Sequence, residues 1–273
     1  HTSLSDITID YSQVNCISFT GVSVLIHNNT CHDAGWGLYM AYYPANGPVE
    51  IYQNDIYNSS HGITIGGSGT NNVTTVKIYN NHIHDYANWD TTANQYHHDG
   101  IHIFGAPPNA YANDVWIYNN LFDGDTGTNI TAHVFMESGS SAWTVSGAAK
   151  IFNNVFLTTS SQPIYNGLLA YAGGTGTQIY NNTIIGVTGN GGSCASLTST
   201  TSVLFKNNVI TSCDTAISAN TTTFVVGGFN YNVYAPQGLT NEFVWNLATY
   251  TSNFTTWKTA CGCDANSLNP ADA

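Results

Sequence analysis

Arginine is missing from this 273-residue chain, lysine occurs only four times, and just 7% of the residues are charged. Lys77, Lys150, Lys206 and Lys258 are too scattered to form a basic stripe, and the net charge is −12, so no nucleic-acid partner is expected. Long apolar runs are missing too. Nothing approaches the roughly 18 residues of a membrane span, and the start at His1 shows no signal-peptide pattern, so any targeting segment is expected to have been removed or left out. No CxxC pair occurs. The even set Cys16, Cys31, Cys194, Cys213, Cys261 and Cys263 therefore favours structural disulfides over zinc, with about 15 connectivities open, and points to a secreted, extracellular protein. Seven N-x-S/T sequons occur among 33 asparagines, about the number chance supplies, so they carry no information on glycosylation.

What the chain does have is a repeat. The segments VLIHNNTC, VEIYQNDI, VKIYNNHI, VWIYNNLF, AKIFNNVF, TQIYNNTI and VLFKNNVI place their second polar corner residue at Asn29, Asn54, Asn81, Asn120, Asn154, Asn182 and Asn208, and FNYNVY adds a degenerate Asn232. A period of 25 to 39 residues marks a solenoid. Within each copy apolar residues alternate, as at Val49 and Ile51, and resume at Ile56 beyond the corner, which is strand periodicity with a bend. Asparagine tolerates left-handed backbone angles, and its amide can hydrogen-bond the equivalent residue one coil away, so the Asn pair is expected to turn the chain and ladder it. A second strand follows each corner: GLYM at 37–40, GITI at 62–65, GIHI at 100–103, HVFM at 133–136, GLLA at 167–170 and AIS at 216–218. With no helical periodicity, the expected fold is all-β: a single-domain right-handed parallel β-helix of about eight coils over 1–235, with 236–273 packing on or capping the last coils.

The I-x-N-N-x-I corner and the G-I-x-I strand, over roughly Ile7 to Asn232, resemble the pectate-lyase-like superfamily of right-handed parallel β-helix proteins. That resemblance implies the fold and leaves the activity open, because lyases, hydrolases, tailspikes and non-catalytic surface proteins share it. The ending FTTWKTACGCDANSLNPADA is similar to the W…G-x-D-x-x-S…D-P tail of secreted bacterial members, with Asn269 where that tail usually carries Asp. Two activities of the superfamily find no match. Pectate lyases use an arginine base and polygalacturonases an N-x-D…D-D cluster, and neither is present. A neutral or weakly charged polysaccharide suits the acidic surface better than a polyuronate.

Chemistry is expected where the coils are longest. The intervals Asn81 to Asn120 and Asn120 to Asn154 exceed a coil of about 28 residues by about 11 and 6, and solenoid insertions gather on one face. The first holds His82, His84, His97, His98 and His102 with Asp85, Asp90 and Asp99. Aligning the strands puts Trp36, His61 and Asp99 in one outward column and Tyr39, Thr64, His102 and Phe135 in the next, with Glu137 two residues further on. The predicted site is a solvent-open groove walled by 86–98. There Asp99 and Glu137 serve as acid and base of glycoside hydrolysis, His61 and His102 orient them, and Tyr39, His84, Asp85, Trp89, His97 and His98 bind substrate. A slip of one residue across the second insertion would exchange Glu137 for Met136 and leave Asp85 as the substitute.

No resident cofactor is called for by a motif, although the same residues admit a metal. H-x-H-D at 82–85 and H-H-D-G-I-H at 97–102 put imidazoles on one strand face, as transition-metal sites require, and Asp85, Asp90, Asp123 or Asp125 would offer calcium its oxygen ligands. His1 has the amine and ring of a copper chelate. Other features read as structural. Tyr52, Tyr79, Tyr118, Phe152 and Tyr180 form an outward aromatic ladder whose mutual stacking is the simplest role, and Glu50 faces Lys77. Cys194 with Cys213, one coil apart, is the preferred disulfide and Cys16 with Cys31 the next. A rival function from another class is a non-catalytic adhesive or filament-forming β-helix that associates through its ends or the aromatic ladder.

Overall fold

The computed structural model describes residues 2–19, 23–40, 48–67, 75–87, 98–105, 114–127, 130–137, 149–158, 166–171, 176–186, 192–198, 202–220, 224–235, 243–250 and 254–269. Strands stack in parallel into two long sheets. One has nine strands, from Thr2–Ser5 through Val24–His27 and Pro48–Tyr52 to Phe224–Asn230. The other has sixteen among the described residues, where its only antiparallel pair joins Phe243–Trp245 to Ala248–Tyr250. This is the right-handed parallel β-helix expected from the repeat, and among the described residues the one helix, Phe254–Cys261, lies outside the repeats. It is far too short to cross a membrane.

The corner asparagines divide the labour. The first residue of each pair is left-handed, with φ between 54° and 59° at Asn28, Gln53, Asn80, Asn119, Asn153, Asn181, Asn207 and Tyr231. The second is buried and forms the ladder. Each side-chain oxygen from Asn54 to Asn232 accepts both the backbone N–H and the Nδ2–H of its predecessor, and the Nδ2 to Oδ1 distances span only 2.9 to 3.1 Å. The spare amide proton of Asn54 donates to Ile26 O, and Asn81 and Asn120 repeat this with Ile51 O and Ile78 O, so the buried amides are satisfied.

Inside the coils the alternation pays out as aligned core columns. Ile26, Ile51, Ile78, Ile117, Ile151 and Ile179 occupy one register, and Cys31, Ile56, Ile83, Phe122, Phe156 and Ile184 the next. All twelve are buried. Outside, His27, Tyr52, Tyr79, Tyr118, Phe152 and Tyr180 stack with centroids 4.8 to 5.0 Å apart and planes within 9° of parallel. Lys77 and Glu50 pair at 3.3 Å.

The tail-like motif ends the ladder. Asn232 donates its N–H to Ser267 Oγ at 2.8 Å and its Nδ2–H to Asp264 Oδ1 at 3.1 Å, taking the place of a further corner asparagine. Trp257 Nε1 and the Tyr234 hydroxyl donate to Asp264 Oδ2, each at 2.9 Å, and Ser267 adds a further bond. Burial pushes the Asp264 carboxyl above its ordinary value, and these hydrogen bonds oppose the rise. Trp257 is fully buried, stacked on Phe243 at 4.8 Å.

Disulfides join Cys194 to Cys213, Cys16 to Cys31 and Cys261 to Cys263, with Cα–Cα distances of 5.6, 6.0 and 5.1 Å. Three such bonds point to an oxidising compartment.

Candidate functional site

The coil that carries the first insertion explains how the site is placed. In the preceding coil Asp55–Gly67 is one uninterrupted strand, and in the next its place is taken by two, His82–His84 and His98–Gly105. Through Ala87 the chain still follows its neighbour, with Asn58 N–H donating to Asp85 O at 2.6 Å and Ala87 N–H to Ser59 O at 3.2 Å. The insertion therefore separates two groups of polar side chains, one on each strand.

The first group is the predicted centre. Register aligns Trp36, His61 and Asp99, and beside them Tyr39, Thr64, His102 and Phe135, as the sequence alignment expected. One ligand atom each of His61, Asp99 and His102 lies within 4.8 Å of the others. His102 Nδ1 is 3.7 Å from Asp99 Oδ2, and the His61 ring stacks between His102 at 6.0 Å and Trp36 at 5.4 Å. His98 lies 6.1 Å from His61, ring to ring, and Tyr39 meets the edge of Trp36 at 5.6 Å.

The groove expected to be solvent-open is closed at its centre. Asp99 is 0%, His61 2% and His102 7% exposed, and around His102 aromatic rings pack closely, Phe135 at 4.9 Å and Phe104 at 5.1 Å. Beneath Asp99, Gly100 leaves room for the neighbouring coil, since a Cβ there would stand 2.6 Å from both His133 O and the Tyr86 hydroxyl.

Other predicted members fall elsewhere. His84 and Asp85 belong to the second group, on the His82–His84 side, and do not join His61 and Asp99. Trp89, His97 and Asp90 lie outside the described residues, as does His1. Glu137 is described only by its backbone, which pairs with Phe104, while Met136 next to it is buried in the core, so the feared one-residue slip does not occur. The same register sets the Asp99–Glu137 separation along the strands. Asp99 pairs with Ala132, five residues before Glu137, which at about 3.3 Å per residue and about 4.8 Å between strands puts roughly 17 Å between the two Cα atoms.

The second group joins Asp55, His82, His84, Asp85 and Asp123 on the half-buried outer face. Burial raises the Asp85 carboxyl, but the Asp125 N–H at 2.8 Å and the His84 ring at 2.7 Å outweigh it and hold it below the ordinary value. Asp85 and Asp123, named above as calcium ligands, thus accept hydrogen bonds from within the protein.

One polar pair was not foreseen. His133, in the strand HVFM, is fully buried between Phe122 and Phe156, with Nδ1 3.0 Å from the Tyr86 hydroxyl. Burial lowers its pKa to about 3, so the ring is neutral. The Tyr86 phenol is pushed well above its ordinary value by burial, then by Asp99 and Asp123. The sequence signal was a histidine at the place where other coils carry the glycine of G-I-x-I.

The right-handed beta helix region model matches residues 1–184, and the chain belongs to that family. No curated protein and no solved structure matches it.

Proposed function

We propose that this chain is a secreted β-helix that binds an extracellular polysaccharide along the coils from His61 to Glu137 and cleaves it hydrolytically, with Asp99 as a catalytic acid or base. The observation that carries the reading is the convergence of His61, Asp99 and His102 within 4.8 Å, from two coils, beside the half-buried Trp36 and Tyr39. Aromatic faces suit sugar rings, and a carboxyl next to two imidazoles suits proton transfer to a glycosidic oxygen. His102 Nδ1 is 3.7 Å from Asp99 Oδ2, so proton exchange between them needs the pair to close to hydrogen-bond range on substrate binding, with His61, stacked on Trp36 and His102, positioning the ring. With Glu137 as second carboxylate, a Cα separation of roughly 17 Å is too long for the about 5 to 5.5 Å between carboxyls of a retaining pair and suits only the upper part of the about 6.5 to 9.5 Å of an inverting pair.

The burial of Asp99 favours a second reading, a non-catalytic surface β-helix in which the triad is a polar brace. The two readings part on one variant. In a glycan-array screen with reducing-end detection, the catalytic reading expects Asp99→Asn to bind its glycan and lose turnover with the melting temperature preserved. A brace expects no turnover in the parent protein and a lowered melting temperature in the variant.

A further inference from the structure

His82 and His84 stand two residues apart on one strand, so with Ile83 buried between them both rings leave the same outer face, their centroids 4.0 Å apart. Asp55 lies directly opposite His82 on the preceding coil. Its Oδ1 is 3.4 Å from His82 Nδ1 and 3.1 Å from His84 Nε2. The other nitrogen of each ring is taken by a different carboxylate: His82 Nε2 meets Asp123 Oδ1 at 2.7 Å and His84 Nδ1 meets Asp85 Oδ2 at 2.7 Å.

An ionised carboxylate only accepts, so each of those 2.7 Å bonds requires the proton on the nitrogen that faces Asp123 or Asp85. The remaining nitrogen of each neutral ring then carries a lone pair directed at Asp55 Oδ1. Lone pairs facing a carboxylate oxygen repel unless a cation or a second proton lies between them. The spacings of 3.1 and 3.4 Å match the ligand-to-ligand edge around a tetrahedral ion bonded at about 2.0 to 2.1 Å. Histidines that bind metal through one nitrogen and donate from the other to a carboxylate are the usual arrangement of zinc sites.

We propose that Asp55, His82 and His84 bind a divalent transition-metal ion, with zinc the best match, and that Asp123 and Asp85 fix the two ring tautomers. Two imidazoles select zinc over calcium or magnesium, which take oxygen ligands. Three carboxylates around two neutral rings leave a surplus of negative charge that a dication offsets. The side chains of Asp55 and His82 are 47% and 40% exposed, which leaves the fourth position open to water or a ligand. Residues of three successive coils meet here, so the ion also ties the coils together. None of this depends on the polysaccharide reading.

The test is zinc titration of the full chain, stripped with chelator, by calorimetry at pH 7, with cobalt absorption to report geometry. One zinc per chain is expected, with a dissociation constant below about 1 μM and a tetrahedral cobalt band. His82→Gln and His84→Gln should each lower affinity at least about 100-fold and Asp123→Asn about 10- to 100-fold, with unchanged circular dichroism. Should a variant fail to fold, ring nitrogen shifts of the parent protein on zinc addition decide, with His82 and His84 expected to move. Absence of micromolar zinc binding overturns the proposal. So does binding that survives in both glutamine variants, or zinc-induced shifts at His61 and His102 in place of His82 and His84.

Discussion

Asn81 Nδ2 donates to Asn120 Oδ1 at 3.0 Å across 39 residues of chain, and Asn182 meets Asn208 at 3.1 Å across 26. The insertion that carries the histidines leaves the corner untouched. Extra residues depart after the corner strand, so the ladder and the core columns bear the fold while the longer coils are free to carry chemistry.

Replacing Asn120 by Ala removes an acceptor for two Asn81 donors and a donor to Ile78 O and Asn154 Oδ1, all buried. Each unsatisfied buried group costs about 1 to 3 kcal/mol, so a loss of about 3 kcal/mol or more is expected. The urea midpoint, at constant slope, measures it. A loss under about 1 kcal/mol would mean that the ladder is not a main support of the stack.

Asn119, one residue earlier, sets the turn with φ 55°. Asn119→Val should destabilise by about 1 to 2 kcal/mol through its Cβ and branched side chain, whereas Asn119→Gly should stay within about 0.5 kcal/mol of the parent. Thermal melts of the pair separate this backbone effect from the hydrogen-bond effect at Asn120.

His133 makes the fold acid-sensitive. Its folded pKa of about 3 lies below the ordinary 6.5, so the unfolded chain binds the extra proton between these values. The neutral-ring contribution is complete above pH 6.5 and falls by about 1.4 kcal/mol per pH unit towards pH 3. Unfolding free energies at pH 7, 5.5 and 4 should show this slope, and His133→Gln should flatten it. Equal pH dependence in parent and variant would contradict the assignment.

Asp99→Asn should lower hydrolysis of the true glycan by at least about 10², because general acid–base catalysis is worth about 10² to 10⁴. The product anomer, read by proton NMR in the first minutes of reaction, should be inverted. A retained anomer would exclude Glu137 as the partner of Asp99.

The alternation around Val49, Ile51 and Ile56 and the recurring Asn pair determined the β-helix, the corners and the register of His61, Asp99 and His102 without reference to any tertiary contact. These are local or periodic signals: a strand face repeats every two residues, and an unvaried corner makes each coil copy the one before it. Tertiary structure alone decided what the periodicity does not encode. It set Phe104 and Phe135 against His102 and buried His61, Asp99 and His102, so that outward columns became buried. It put Asp99 and Glu137 at positions five residues apart along paired strands. It also split His84 and Asp85 from His98 and Asp99, near in sequence, and set His84 against Asp55 and His82 against Asp123, across coils of unequal length. Distances between coils depend on where each insertion leaves and rejoins the stack, and no pattern within a single coil contains that information.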